Sequence, residues 1–169
     1  MSEINQISQL LLPELESELA ITRRILAAVP NGHNDFKPHE KSMSLASLAG
    51  HTAELPGFTM VTLAGPNFDL GAPNSYKPNV FETNSQNLAL FNELAAQATA
   101  TVKATTDATF KEPWSLSYSG HVLFTGPRHS AYRTMMMNHL VHHRAQLGVY
   151  LRLLGIPVPK TYGPSADEQ

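Results

Sequence analysis

Asn138-His139-Leu140-Val141-His142-His143-Arg144-Ala145-Gln146 lies inside a long helical pattern that Gly155-Ile156-Pro157 brings to a stop. His139 and His143 are four residues apart, which on an α-helix places them on one face, one turn from each other. At that spacing two imidazole nitrogens reach a single ion, and a third ligand from another helix completes a divalent-metal site with open positions. His142 is three residues from His139 and adjoins the same side, so it competes as a ligand. A helix-surface coincidence or a hydrogen-bonded core pair would give the same spacing. The Glu of an H-E-x-x-H motif is missing, which removes the zinc-protease reading along with its general base.

Gly50-His51-Thr52-Ala53-Glu54 adds weight to the metal reading. His51 sits among Leu45, Leu48, Ala49 and Leu55 in a second helical pattern. Gly50 costs that helix up to roughly 1 kcal/mol relative to Ala. A close helix–helix approach would explain the glycine, and a shared metal would require such an approach. Glu54 projects from the same face one turn on; it is a candidate base, or a solvated helix residue. Arg144 is a second catalytic candidate, suited to a carboxylate or a substrate anion. Gln146 or a backbone carbonyl can accept the second ring N–H of a ligating histidine. His33 and His39 read as loop residues, and His121 and His129 as surface or capping residues.

Four helical patterns emerge along the chain. The first covers residues 3–28, with Pro13 predicting a kink or a late start. The second covers 44–64, with Ser42 or Ser44 as N-cap and a bend after Glu54 caused by Pro56. A Gly/Pro/Asn-rich stretch from Gly65 to Val80 follows, long enough to be functional or mobile. The third helix covers 85–106, and its weak, Ala-rich apolar face suggests a position towards the outside. Between Phe110 and Gly126 the period changes to two, and Ser119-Gly120 predicts the turn of a short β-hairpin. The fourth helix starts at 127–130 and ends at Leu154. Residues 157–169 read as an extended strap whose last residues are disordered.

The 169 residues suit one domain, 1–169, with 42% hydrophobic and 15% charged residues, as in ordinary globular proteins. A net charge of −2 and a pI near 6.4, with no basic run, argue against nucleic acid or an anionic membrane as partner. There is no cysteine, so disulfides, protein thiolate chemistry and Cys-ligated metals are excluded. That absence suits a cytoplasmic setting. The glutamates among residues 1–20 are incompatible with a signal peptide, and no apolar run is long enough to span a bilayer. The eight histidines and the carboxylates remain as metal ligands.

One His after a Leu-rich entry in the second helix, followed by N-H-x-x-x-H-R-x-Q in the last, resembles the DinB/YfiT-like family of metalloenzymes. The resemblance runs from the first helix to the tail Tyr162-Gly163-Pro164-Ser165-Ala166-Asp167. It implies an all-α fold, a four-helix bundle in up-down-down-up order, here with a short β-hairpin before the last long helix. It also implies a divalent metal held by His51, His139 and His143, and gives His142 no ligand role. Ala145 stands where many relatives have Gly, which leaves the ligands untouched. Three neutral nitrogens suit zinc or nickel, with iron or manganese as alternatives. Relatives of known activity are thiol-dependent transferases or isomerases. The resemblance therefore implies a small-molecule substrate and a low-molecular-weight thiol cosubstrate, activated at the metal as a water would be. A homodimer is left open, and the rival reading is a non-catalytic metal-binding or stress-response module.

Overall fold

The structure, a computed structural model, describes residues 6–169. The expected helix start at residue 3 lies outside them. Leu11, Leu15, Leu19, Ile25 and Leu26 recur at helical spacing and form the buried face of α1 (Gln6–Ala27). Its first amides have no carbonyl one turn back, and Asp107 supplies acceptors for Gln6 N–H at 3.2 Å and Ile7 N–H at 3.0 Å. The helix starts before Pro13 and continues through it. Pro13 and Gln9 are both exposed, so water can replace the bond that the Gln9 carbonyl loses.

Ser44 caps α2 (Leu45–Glu54), its Oγ accepting from Ser47 N–H at 3.2 Å. After Glu54 the chain bends as expected. A 3-10 turn at Leu55–Gly57 carries Pro56, and α3 (Phe58–Leu63) resumes beyond it. The Gly65–Val80 stretch is partly ordered by β1 (Phe68–Asp69). Next comes α4 (Asn84–Ala104), which packs against α1 and α2 rather than outside them, burying Phe91, Ala98 and Val102. A side chain as short as Ala98 signals weakly in the sequence yet fits between closely packed backbones.

A five-residue helix, α5 (Asp107–Lys111), leads into the hairpin of β2 (Pro113–Tyr118) and β3 (His121–Pro127). The turn is the two residues expected, with φ of 49° at Ser119 and 82° at Gly120. The sheet has a third strand: β1 runs parallel to β2, with Phe68 opposite Leu116. Asp69 holds it there, accepting from Ser119 N–H at 2.8 Å and Gly120 N–H at 3.1 Å. The chain is therefore mostly helical with a small three-stranded sheet.

The fourth helical rod is not uniform. It consists of α6 (Arg128–Tyr132), a π-helical turn over Arg133–Asn138, and α7 (His139–Leu153). It stops in a Schellman arrangement at Gly155, φ 71°, where Ile156 N–H donates to Leu151 O at 2.9 Å and Gly155 N–H to Arg152 O at 3.1 Å. At that end Tyr150 OH donates to Met43 O at 2.9 Å, and Asn84 Nδ2 donates to Leu26 O at 2.8 Å. These bonds tie the end of α7 to the approach to α2, and the start of α4 to the end of α1. The tail corrects an expectation, for its last residues are pinned rather than disordered. Asp167 accepts from Val158 N–H at 2.9 Å and pairs with Arg152, while Glu168 accepts from Lys160 N–H at 2.7 Å and pairs with Arg24.

Candidate metal centre

The π-helical turn ends where the histidines begin. A wider turn shifts the register of every later side chain, and such turns recur at functional sites. From there α7 presents His139 and His143, and α2 presents His51. His139 Nε2 lies 2.8 Å from His143 Nε2 and 3.3 Å from His51 Nε2, and one ligand atom from each ring lies within 4.8 Å of the others. Bonds of about 2.0–2.1 Å to one tetrahedral ion separate its nitrogens by about 3.3 Å, so the spacing fits a shared ion.

The other ring nitrogens show which tautomer each ring adopts. His51 Nδ1–H donates to Glu54 Oε1 at 2.7 Å, and His143 Nδ1–H donates to Gln146 Oε1 at 2.7 Å. His139 bonds back to the Met135 backbone. Each partner is an acceptor, so each ring carries its proton on the side away from its neighbours. Burial, reinforced by His51, pushes the His139 imidazole below its ordinary value. Burial pushes His143 down to about 4, with His139 and His51 adding to it against the Gln146 bond. The His139 and His143 rings are thus neutral, and the Nε2 atoms of all three rings face one another. Lone pairs with no proton between them repel, and a cation at their centre turns that repulsion into attraction. The residues present fit a divalent ion.

Glu54 is not a solvated helix residue. It is 6% exposed, and its two oxygens accept from His51, Tyr76 OH, Asn79 N–H at 3.2 Å and Asn79 Nδ2 at 2.7 Å. Burial raises its carboxyl, but the bonds from His51, Tyr76 and Asn79 outweigh that and hold it below the usual range. Its carboxylate is therefore ionised and turned to the Nδ1 side of His51. Gly50 is also explained differently from the expectation. A Cβ there would stand 2.0 Å from the Asn79 carbonyl oxygen, so the close approach is by the loop between α3 and α4, not by another helix.

Arg144 lies elsewhere. It is 2% exposed and pairs with Glu18 at 2.6 Å beneath Tyr162, so its carboxylate partner belongs to α1 and not to a substrate. His142 is exposed and stands outside the nitrogen cluster. His39 Nδ1 accepts from Lys41 N–H at 3.2 Å, and His129 Nδ1–H donates to Phe110 O at 3.1 Å, both away from the site. Tyr76 and Asn79 went unread in the sequence. The only signal was the length of their loop, and nothing local tied them to Glu54.

His51 and His143 line an open cleft of about 600 Å³ whose other walls include Ser44, Ser47, Tyr76, Pro78 and Val80. Among the described residues no fourth His, Asp or Glu joins the three nitrogens. A structural zinc is normally closed by four protein ligands, whereas a catalytic one keeps a position open. This arrangement is of the open kind.

No curated protein matches the chain. Among solved structures, a DinB-like protein (YjoA) from Bacillus subtilis is 21% identical, with a TM-score of 0.64, covering 94% of this chain and 98% of that one. A DinB-like protein from Bacillus cereus is 19% identical, with a TM-score of 0.67 over 89% and 95% of the two chains. YfiT from Bacillus subtilis, described as a probable metal-dependent hydrolase with an unusual four-helix bundle topology, is 18% identical, with a TM-score of 0.65 over 91% of each. Identities this low speak for a shared four-helix-bundle fold. The model of the DinB family matches residues 1–169, and the chain belongs to that family.

Proposed function

We propose that this protein is a metal-dependent enzyme that binds one divalent ion through His51, His139 and His143 and acts on a small molecule. The observation that carries the reading is the convergence of three Nε2 atoms beside an open cleft with no fourth protein ligand among the described residues. Zinc or nickel suits this donor set best, iron or manganese less well. A bound ion supplies Lewis acidity, lowering the pKa of a water or a low-molecular-weight thiol placed at its open position. The chain has no cysteine, so a thiol would come from a cosubstrate and the reaction would be thiol transfer or isomerisation; with water it would be hydrolysis. Glu54 and Gln146 orient the rings of His51 and His143, and Tyr76 screens the Glu54 carboxylate on the cleft side.

The reading includes an up-down-down-up bundle in one domain, supported by the bonds that join the end of α1 to the start of α4 and the end of α7 to the approach of α2. It also includes a cytoplasmic setting and a homodimer, with neither nucleic acid nor membrane as partner; no helix among the described residues is long and apolar enough to cross a membrane. The test begins with metal analysis of protein purified without a nickel column. Metal-loaded protein is then screened with hydrolysable esters and amides, and with glutathione, bacillithiol and mycothiol against electrophiles. His139→Ala should abolish turnover and metal uptake while leaving the helical content intact. Metal-loaded protein inactive throughout would assign it to the non-catalytic, metal-binding class.

A further inference from the structure

We infer that the cleft beside the three histidines takes an elongated organic anion, its reacting group at His51 and His143, its apolar body in the middle and its negative charge at Lys37. This rests on the metal reading above and adds the substrate class. His51, Ser47 and Ser44 are spaced by four and three residues, so they lie along one stripe of α2, and all three line the cleft. Seven residues of helix at about 1.5 Å each make that stripe about 10 Å long.

Lys37 belongs to the far end. Leu45 N–H donates to Phe36 O at 2.9 Å, which fixes the backbone next to Lys37 at the start of α2, opposite the His51 end. Lys37 is exposed, makes no hydrogen bond or ion pair with any described residue, and among the described residues lining the cleft it alone carries a fixed charge. The cleft also has apolar walls. Met43 is 39% exposed and Val80 59% exposed, and both face this cleft beside Pro78. Large apolar side chains left open to solvent around one cleft suit an apolar occupant. A metal end, apolar walls and a lone ammonium from the loop at the far end of a stripe about 10 Å long match a carboxylate joined by a hydrocarbon chain to a metal-seeking head.

The inference is tested with cobalt(II)-loaded full-length protein, in which a thiolate reaching the ion gives a charge-transfer absorption band and hence a Kd without turnover. The probes are 3-mercaptopropionate, 6-mercaptohexanoate and 8-mercaptooctanoate, each with its mercaptoalcohol counterpart. A longer acid should bind about threefold to tenfold more tightly than its alcohol, as expected for a partly exposed charge pair, and the shortest acid should show no preference. Lys37→Met should erase the preference while leaving the alcohols unchanged, and Lys37→Glu should invert it. Acid and alcohol binding equally, or a preference surviving in Lys37→Met, would overturn the inference. Cobalt taken up but blind to every thiol would overturn it and leave the metal reading standing. Failure to take up cobalt would overturn both.

Discussion

Gly50→Ala should weaken both the fold and the metal site, although Ala is the better helix former. In an exposed helix interior the change would stabilise by about 0.8–1 kcal/mol. Here the new methyl would stand 2.0 Å from the Asn79 carbonyl oxygen and 2.9 Å from its carbon, where ordinary contact begins near 3.4 Å. The obstacle is backbone, so no rotamer change relieves it, and the loop or α2 must withdraw by more than an ångström. Overpacking costs about 1–3 kcal/mol, occasionally more, and a clash this short with backbone belongs at the upper end, so after the propensity gain a net loss of about 2 kcal/mol remains. At this chain length that lowers the Tm by about 2–4 °C per kcal/mol.

The displaced residue is the one that donates to Glu54 at 2.7 and 3.2 Å, and Glu54 in turn holds His51. Metal affinity should therefore fall by about tenfold, the low end of the range for losing an outer partner of a ligand. Urea unfolding of the metal-free protein and a competition titration with a zinc indicator measure the two effects separately. A variant as stable as the parent with unaltered zinc affinity would refute the seating of this loop over Gly50.

Glu54→Gln keeps the shape but removes the charge facing His51, and should cost about 10–100-fold in zinc affinity by the same titration; affinity within twofold of the parent would show that the carboxylate does not support the ligand. Chelation should lower the Tm without unfolding the bundle, because the ligands join α2 to α7 while the core is apolar; loss of helical circular dichroism on adding chelator at room temperature would make the metal structural. Glu18→Gln strands the Arg144 charge, 2% exposed, and should destabilise by about 3–5 kcal/mol in urea, whereas Glu18→Leu with Arg144→Met should recover most of that loss. The tail should come loose in acid. Arg152 and the Val158 amide hold Asp167 below its ordinary value, and the Lys160 amide and Arg24 do the same for Glu168. The docking contribution is therefore complete above the ordinary carboxylate range and lost as pH falls below it. Protection of the Val158 and Lys160 amides, taken as intrinsic over observed hydrogen exchange at each pH, should fall there, and protection unchanged into strong acid would contradict the pairing.

Much of the architecture was legible locally because its causes are local. Helical spacing in Leu11, Leu15 and Leu19 marks a face whatever it packs against. Pro56 bends α2, Gly155 ends α7, and Ser119-Gly120 turns the hairpin, each through backbone geometry carried by one or two residues. The His139–His143 pair follows from the period of the helix itself. Other features have no local cause. The π-helical turn at Arg133–Asn138 leaves no mark beyond a run of ordinary helix formers. Strand β1 exists because Asp69 meets a turn fifty residues away. The tail is ordered because its carboxylates meet Arg24 and Arg152.

The division is sharpest at the site. Sequence alone, with the family resemblance, determined which three imidazoles meet and that no cysteine competes with them. Tertiary structure decided what surrounds them. It placed Glu54 behind His51, used Gly50 to admit the loop and not a helix, and sent Arg144 to Glu18. It left Lys37 as the free cation at the cleft. A helix fixes the relative positions of residues one turn apart, whereas contacts between distant segments depend on which faces pack together, and only the folded chain settles that.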